Sequence, residues 1–164
     1  MANGKVVLGA VTKGFNLKTE IKAHLTQQDC RIMDVGCFDS GTFVKYTSVG
    51  EALAYALYTG DAEFGIFVCN FGTSSAMGVS KFQGVRAVSC ESVRTAEAAR
   101  KVNNANVLCL GAGVVPSDFA IQIVDAFLGT AFLDIPNMTP ALKAFREQAS
   151  RQVLQWGERP SREE

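Results

Sequence analysis

The chain alternates short apolar runs with longer stretches in which apolar residues recur every three or four positions. The short runs are rich in Val, Ile and Leu, which is typical of parallel strands buried on both faces, and the longer stretches have the period of amphipathic helices. The predicted strands are 5–11, 31–35, 64–69, 85–90 and 106–110. The predicted helices are 15–28, 48–59, 74–82, 91–102, 117–128 and most of 135–156.

Strands that alternate with helices predict a parallel sheet covered by helices on both faces. The expected fold class is therefore α/β: a Rossmann-like three-layer αβα sandwich with a five-stranded parallel sheet and an extra C-terminal helix. We expect one domain over residues 1–156 and a frayed polar tail over 157–164. The last helix carries an apolar stripe that must pack on its own sheet or on a second subunit: Leu142, Phe145, Ala149, Val153 and Trp156.

Composition and charge narrow the classes of function. The 164 residues include 16 basic and 16 acidic side chains, so net charge gives no argument for binding nucleic acid or an anionic membrane. No apolar run has the length of a membrane span and the N-terminus lacks a signal-peptide pattern, so we expect a cytoplasmic protein. The 5 cysteines contain no Cys-x-x-Cys pair and there is 1 histidine, which favours free thiols over a metal site.

The most informative segment is the end of the third predicted strand, where Cys69 is followed by a turn rich in Gly, Ser and Thr. In open α/β sheets, ligands bind outside the carboxyl ends of the strands, where backbone N–H groups and helix N-termini meet anions. A cysteine there can act as a base or a nucleophile if its thiolate is stabilised. It can equally be a buried thiol that caps a core strand. No Gly-x-Gly-x-x-Gly or Walker motif supports a nucleotide site.

Further motifs accompany Cys69 along the chain. Residues 69–86 carry glycines and basic residues at a fixed spacing from Cys69, with no insertion or deletion against the pattern named below: Gly72, Lys81, Gly84 and Arg86. The other motifs are Gly14-Phe15-Asn16-Leu17-Lys18, Asp34-Val35-Gly36, Gly65-Ile66-Phe67-Val68-Cys69, Asn103-Asn104-Ala105-Asn106-Val107-Leu108 and Ile123-Val124-Asp125-Ala126-Phe127-Leu128. In order and spacing, over about residues 5–132, they resemble the family of ribose-5-phosphate isomerase B and galactose-6-phosphate isomerase.

The resemblance implies a cofactor-independent aldose–ketose isomerase that acts on a small phosphorylated sugar (a pentose, tetrose or hexose phosphate). Cys69 would transfer a proton between C1 and C2 through an enediolate, whose oxyanion the loop amides stabilise. The resemblance also implies a homodimer or a dimer of dimers with the site at the subunit interface. The expected catalytic residues are Cys69, Thr73 and Ser74. The expected substrate-binding residues are Thr12, Lys13, Tyr46, Asn70, Phe71, Gly72, Ser75 and Asn103.

The sequence departs from the family pattern at several functional positions. The family's Asp-His pair, its histidine associated with ring opening and its arginine after the fifth strand are here Val11-Thr12, Val102 and Gly113. A Tyr-Pro-Asp loop is replaced by Tyr46-Thr47-Ser48. The Gly-Thr-Gly-x-Gly loop is replaced by Asn70-Phe71-Gly72-Thr73-Ser74. Because valine cannot transfer a proton, ring opening must pass to another group or be unnecessary.

Two interpretations of these departures stay open. In the first, the isomerase uses an open-chain substrate such as a tetrulose phosphate, and the bulky Phe71 narrows the pocket for it. In the second, the chain is a catalytically degenerate member that binds a sugar phosphate or forms one subunit of a hetero-oligomeric isomerase with an active paralogue. Single residues also keep structural alternatives. Lys13 is more typical of a solvated helix start than of a phosphate ligand, and Tyr46 is equally typical of a packing residue.

Overall fold

The structure, a computed structural model, describes residues 4–160 and contains a sheet of five parallel strands. The strands are β1 Lys5–Ala10, β2 Arg31–Gly36, β3 Phe64–Cys69, β4 Ala87–Ser89 and β5 Val107–Gly111. Their spatial order is β2-β1-β3-β5-β4, so the central strand is β3. It pairs with β1 from Val6 opposite Phe64 onward, and with β5 from Gly65 opposite Val107 onward.

Helices cover both faces of this sheet. They are α1 Phe15–Gln27, α2 Tyr46–Thr59, α3 Thr73–Val79, α4 Val93–Asn103, α5 Ser117–Gly129 and α6 Pro140–Gln155. On one face, Leu8 and Ile66 pack with apolar side chains of α1, α4 and α5. On the other face, Val7 and Phe67 pack with side chains of α2 and α3. This alternation of neighbouring strand residues between two cores confirms the predicted three-layer α/β sandwich.

Several predicted element boundaries are wrong. Helix α2 begins at Tyr46, two positions before the predicted start at residue 48, and no side chain caps it. Strand β4 is shorter than predicted and helix α3 ends at Val79. Helix α6 begins at Pro140 instead of residue 135, with the Thr139 hydroxyl accepting a hydrogen bond from the Leu142 N–H.

The C-terminal helix lies against its own domain without being buried by it. The Asn104 side-chain amide donates to Ser150 Oγ at 3.1 Å, and Gly84 N–H donates to Leu154 O at 3.0 Å. Ser150 is the buried residue of α6. The stripe predicted to need a partner remains largely uncovered, since Phe145 and Trp156 are 65% and 66% exposed.

The expectation of a frayed tail from residue 157 is wrong for its first residues. Glu158 N–H donates to Lys81 O at 2.8 Å, and Glu158 O accepts from Gln83 N–H at 2.7 Å. Pro160 is buried. The C-terminal chain is therefore bound to the segment after α3 as far as it is described, and residues 161–164 of the predicted tail lie outside the described residues.

The five cysteines are free thiols, as the sequence predicted. Four of them, Cys37, Cys69, Cys90 and Cys109, are buried, and Cys30 is half-buried. Between residues 4 and 160 no helix is both long enough and apolar enough to cross a membrane.

Strand order determines where a ligand site forms. The connection that leaves β1 passes through α1 on one face of the sheet, and the connection that leaves β3 passes through α3 on the other face. Two neighbouring strands whose connections leave on opposite faces open a crevice at their carboxyl ends. In this protein the crevice lies between β1 and β3, where Val11 N–H still donates to Val68 O at 3.1 Å.

Candidate active site

A cavity of about 360 Å³ occupies the crevice at the carboxyl ends of β1 and β3. The residues around it come from the segment after β1, from residues 43–47 and from the turn after β3. They are Val11, Lys13, Phe43, Val44, Lys45, Tyr46, Thr47, Cys69, Asn70, Phe71 and Ser74. The structure thus brings together six of the predicted site residues, namely Lys13, Tyr46, Cys69, Asn70, Phe71 and Ser74.

Cys69 lies at this cavity as the last residue of β3. Its side chain is 4% exposed, so the cavity is its route to solvent. The Gly72 N–H donates to Cys69 Sγ at 3.0 Å, and Ser75 Oγ lies 3.4 Å from the same sulfur. Ser75 is itself fully buried and donates to Gly72 O at 2.8 Å. The sulfur therefore lies beside a fixed N–H donor and a fixed hydroxyl, contacts that an inert core thiol does not need.

These donors change the acidity of the thiol. Burial on its own raises the pKa of Cys69, because it penalises the charged thiolate. The Ser75 hydroxyl and the backbone N–H groups of Ser75, Phe71 and Gly72 favour the thiolate, and together they outweigh burial and lower the pKa below the ordinary thiol value. The pKa of this thiol beside the cavity is therefore shifted in the direction that favours proton transfer.

The turn that supplies these N–H groups depends on Gly72. Its backbone lies in the left-handed region, with φ +77° and ψ −22°. A Cβ at this position would also lie 2.6 Å from Ser89 Oγ. The turn therefore requires glycine on both conformational and steric grounds, which explains why the sequence keeps this one glycine of the loop.

Asn70 and Gly113 contact each other across the same turn. Gly113 N–H donates to Asn70 O at 2.8 Å, and a Cβ at residue 113 would lie 2.8 Å from Asn70 Oδ1. A side chain at position 113 therefore requires the Asn70 amide to move. The two departures from the family pattern at these positions are in contact with each other.

The loop that covers the cavity is held by a small number of polar contacts. Asp39 accepts hydrogen bonds from Gly41 N–H and Thr42 N–H, both at 2.8 Å, and from the Thr42 hydroxyl at 2.9 Å. These bonds lower the pKa of Asp39, so its carboxylate is ionised at neutral pH. The Thr12 hydroxyl donates to Thr42 O at 2.6 Å and accepts from Val44 N–H at 3.2 Å.

The buried Lys18 fixes the base of the same loop. It is 2% exposed, and its ammonium group lies 2.5 Å from both Asp34 Oδ1 and Cys37 O. The same ammonium group lies 4.9 Å from the centre of the Phe38 ring. The lysine of the Gly-Phe-Asn-Leu-Lys motif thus positions the loop, and with it the cavity wall at Phe43.

Charge and shape at the mouth of the cavity come from exposed side chains. Lys13 and Lys45 are cations at the rim, while Phe43 and Phe71 are 81% and 59% exposed. Tyr46 also lines the cavity, and its ring lies over Gly78 of α3. Two lysines beside two aromatic walls form a mouth that suits a small anionic molecule.

The other predicted site residues do not line this cavity. Gly72 and Ser75 contact the Cys69 sulfur without reaching the cavity wall, and Thr73 is an exposed residue at the start of α3. Thr12 lines an adjoining hollow of about 260 Å³. Asn103 ends α4 and lines a different cavity. The sequence prediction missed five lining residues: Val11, Phe43, Val44, Lys45 and Thr47.

Comparison with known proteins defines the class. A model of the ribose/galactose isomerase family matches residues 6–139, which is most of the chain. The matching model, the α/β fold and the thiol beside a small cavity together define the class of protein as the sugar isomerases. The chain belongs to the ribose/galactose isomerase family.

Individual relatives agree with this assignment. The chain is 30% identical over 149 residues to 4-deoxy-4-sulfo-D-erythrose isomerase of Clostridium sp. (strain MSTE9), covering 91% of this chain and 92% of the relative. It is 35% identical over 128 residues to ribose-5-phosphate isomerase B of Escherichia coli (strain K12), covering 78% and 85%. The crystal structure of a ribose 5-phosphate isomerase from Thermotoga maritima superposes with a TM-score of 0.81 at 26% identity, over 92% of this chain and 97% of that chain.

These relatives confirm two expectations. The chain is a divergent member of a family of sugar-phosphate isomerases, a class of intramolecular oxidoreductases, and its fold is theirs.

Proposed function

We propose that this protein is a cofactor-independent aldose–ketose isomerase that acts on a small phosphorylated sugar in the cytoplasm, with Cys69 as the proton-transfer base. The observation that carries the proposal is the position of the Cys69 thiol, which lines the cavity between β1 and β3 and accepts a hydrogen bond from Gly72 N–H at 3.0 Å. Family membership supports the reaction class. The unpaired thiols support a reducing compartment.

The proposed reaction moves one proton between neighbouring carbons. The Cys69 thiolate takes a proton from C1 of the ketose, and the C–H electron pair forms a C1–C2 double bond while the carbonyl oxygen becomes an enediolate oxyanion. A proton passes between the two oxygens, the thiol proton exchanges with solvent, and the Cys69 thiol then protonates C2. Ser74, an exposed residue at the start of α3 that lines the cavity, supplies a donor for the oxyanion.

We propose a preference for open-chain four-carbon substrates. A tetrose whose C4 bears a phosphate or a sulfonate has no O4 hydroxyl to close a furanose ring, so it needs no ring-opening acid. Val102, which cannot transfer a proton, is compatible with such a substrate. The named activity of the Clostridium relative, on a C4-sulfonated erythrose, supports the same chain length. Phe43 and Phe71 restrict the mouth of the 360 Å³ cavity.

A substrate panel tests this proposal. Purified protein is assayed with erythrulose 4-phosphate, 4-deoxy-4-sulfoerythrulose and ribose 5-phosphate, and product is followed by NMR. We expect kcat/KM to be highest for one of the four-carbon compounds, whose relative rates then identify the terminal anion. A preference for ribose 5-phosphate contradicts the chain-length proposal. No turnover of any substrate contradicts the enzyme proposal and favours the degenerate member of a hetero-oligomer.

We propose further that the complete site forms between two copies of the chain. Asn103 ends α4, which returns from the carboxyl edge of the sheet to the amino edge, so within one chain it lies away from Cys69. A second copy would bring the missing polar side chain to the cavity. The uncovered Phe145 and Trp156 of the C-terminal region supply apolar surface for such a contact.

Mixing two inactive variants tests this arrangement. Cys69→Ala and Asn103→Ala protein are unfolded together and refolded, so that mixed dimers form. If Asn103 serves the site of the partner, one intact site per mixed dimer restores part of the activity. If the activity of the mixture never exceeds the summed activities of the two separate variants, the shared site is contradicted. A molar mass of one chain by light scattering contradicts it as well.

A further inference from the structure

Two lysines at the mouth of the cavity between β1 and β3 follow directly on two residues that are hydrogen-bonded to each other. Lys13 follows Thr12, and Lys45 follows Val44. The Val44 N–H donates to Thr12 Oγ1 at 3.2 Å, and the same hydroxyl donates to Thr42 O at 2.6 Å. One threonine side chain therefore links the segment after β1 to the segment before α2, and it keeps both lysines at the same mouth.

No acidic side chain neutralises these two cations in the part of the chain that the structure describes. Among the described residues that line the cavity there is no Asp or Glu. The lysines that form ion pairs within residues 4–160 are Lys18, Lys22 and Lys101. Asp39 of the covering loop accepts its hydrogen bonds from that loop. Two unpaired cations at one mouth repel each other, and a bound anion would offset that repulsion.

Both lysines also lie where helices begin. Lys13 lies two residues before the start of α1, and Lys45 lies directly before α2. Neither helix, both of which are described in full, has a side-chain cap or an acidic residue in its first turn. A cation at the N-terminal end of a helix is electrostatically unfavourable, whereas an anion there is favourable. Helix stability therefore does not account for the two lysines, and an anion bound between them would.

We propose that Lys13 and Lys45 bind the terminal anion of the substrate, a phosphate or a sulfonate at C4 of an open-chain sugar, and that Thr12 positions both lysines. The identity of the sugar rests on the proposed function. Cys69 is 4% exposed at the end of β3, whereas the two lysines are exposed at the mouth. The substrate therefore lies with C1 and C2 at the thiol and with its anion at the mouth. A lysine ammonium group binds either anion as a point charge, without the paired geometry of an arginine.

Unreactive polyols test the anion site separately from catalysis. Erythritol 4-phosphate and 4-deoxy-4-sulfoerythritol carry the two terminal anions, and erythritol carries neither. None of the three has a carbonyl group, so their binding, measured by calorimetry on the whole protein, does not depend on proton transfer. We expect at least one of the anionic polyols to bind roughly tenfold or more tightly than erythritol. The tighter of the two identifies the terminal group of the substrate.

Variants assign the binding to these residues. Lys13→Met and Lys45→Met keep the aliphatic stem and remove the charge, and we expect each to weaken binding of the anionic polyol roughly tenfold while erythritol binds as before. Thr12→Val removes the linking hydroxyl and should weaken anion binding in the same selective way, whereas Thr12→Ser retains the hydroxyl and should bind as wild type does. Lys81→Met, at an exposed lysine that does not line the cavity, is the control and should also bind as wild type does.

Several outcomes overturn the proposal. Erythritol that binds as tightly as both anionic polyols overturns it, and so does an equal loss of erythritol and anion binding in the lysine variants. A loss in Lys81→Met as large as that in Lys13→Met has the same consequence. Wild-type binding in Lys13→Met or Lys45→Met removes that lysine from the site, and wild-type binding in Thr12→Val overturns the positioning role of Thr12.

The same measurements separate this proposal from the proposed function. Selective binding of an anionic polyol by a protein that turns over no sugar contradicts the isomerase proposal and supports the anion site. Turnover of a four-carbon sugar by a protein whose lysine variants bind the anionic polyols as wild type does contradicts the anion site alone.

Discussion

At the scale of single residues, two thiols near the same hydroxyl have pKa values that are shifted in opposite directions. The Ser75 hydroxyl lowers the pKa of both Cys69 and Cys109. Cys109 is wholly buried, and burial raises its pKa to about 12. Cys69 is also buried, yet additional backbone N–H donors lower its pKa. The difference comes from the turn after β3, which places N–H groups around one sulfur and not the other.

Replacing Ser75 by alanine should raise the pKa of Cys69, because the largest contribution favouring its thiolate is lost. We expect the acid limb of the kcat/KM profile to move to higher pH, with about tenfold lower activity at neutral pH. The pH dependence of alkylation at Cys69, measured on its peptide by mass spectrometry, should move in the same direction.

Ser80→Ala is the matched control, since the Ser80 hydroxyl donates to Met77 O on the exposed side near the end of α3. It should leave both profiles unchanged. Profiles that coincide for wild type and Ser75→Ala would show that Ser75 does not set the acidity of Cys69.

Some residues at the cavity could be predicted from the sequence, and others could not. The sequence identified Cys69 because its position after a strand and its register with Arg86 are both local signals. It missed Lys45 and Phe43, because their position depends on a loop held by contacts such as Thr12 to Val44, 32 positions apart. It could not relate Asn70 to Gly113, because that contact joins turns after two different strands.

At the scale of elements, the turn between β3 and α3 determines the chemistry of the site. Gly72→Ala should destabilise the protein in two ways, through the positive φ of +77° and through a Cβ that lies 2.6 Å from Ser89 Oγ. We expect a loss of about 2–4 kcal/mol in the free energy of unfolding and a strong loss of activity. Urea denaturation and kcat/KM measure the two effects.

Gly60→Ala separates the two contributions. Gly60 has nearly the same φ, +79°, and a Cβ there would meet no atom within 4 Å. We expect it to cost about 1 kcal/mol and to leave activity unchanged. Equal losses of stability in the two variants would contradict the steric role of Ser89.

Element boundaries were less predictable than the elements themselves. Residues 135–139 have the composition of a helix start after Pro136, but Leu133 and Asn137 have positive φ values of 63° and 59°, which no helix accommodates. The helix starts instead at Pro140 behind the Thr139 cap. Side-chain periodicity predicts the helix, and its start is fixed by backbone conformations that periodicity does not encode.

At the scale of the whole molecule, the sequence predicted five parallel strands without their order. The order β2-β1-β3-β5-β4 is what creates the crevice between β1 and β3 and leaves β4 at the edge beside α6. It also places Asn103 on the opposite edge from Cys69, although motif matching assigned both to one site. The family motif assigns both residues to one site, whereas the sheet order keeps them apart within one chain.

Global stability should depend on the ionisation of Cys109. Its native pKa is raised to about 12, whereas an unfolded thiol titrates near about 8.5. Between these values the unfolded chain binds fewer protons than the native protein, so the free energy of unfolding falls as pH rises. We expect a contribution of up to about 1.4 kcal/mol per pH unit from this thiol.

Urea denaturation at about pH 8 and about pH 10 measures this dependence. Cys109→Ala should lose less stability than wild type over the interval, whereas Cys30→Ala, at a half-buried position, should follow wild type. The same loss in all three proteins would contradict the assignment to Cys109.

The central claim is that Cys69 moves the proton, and solvent exchange tests it most directly. Wild type and Cys69→Ala are incubated in D₂O with the ketose phosphate that the substrate panel favours, and carbon-bound deuterium at C2 of the aldose is measured by NMR. Wild type should incorporate deuterium, and the variant should do so about 10²- to 10⁴-fold more slowly. Undiminished deuterium incorporation by Cys69→Ala would contradict the role of this thiol as the base.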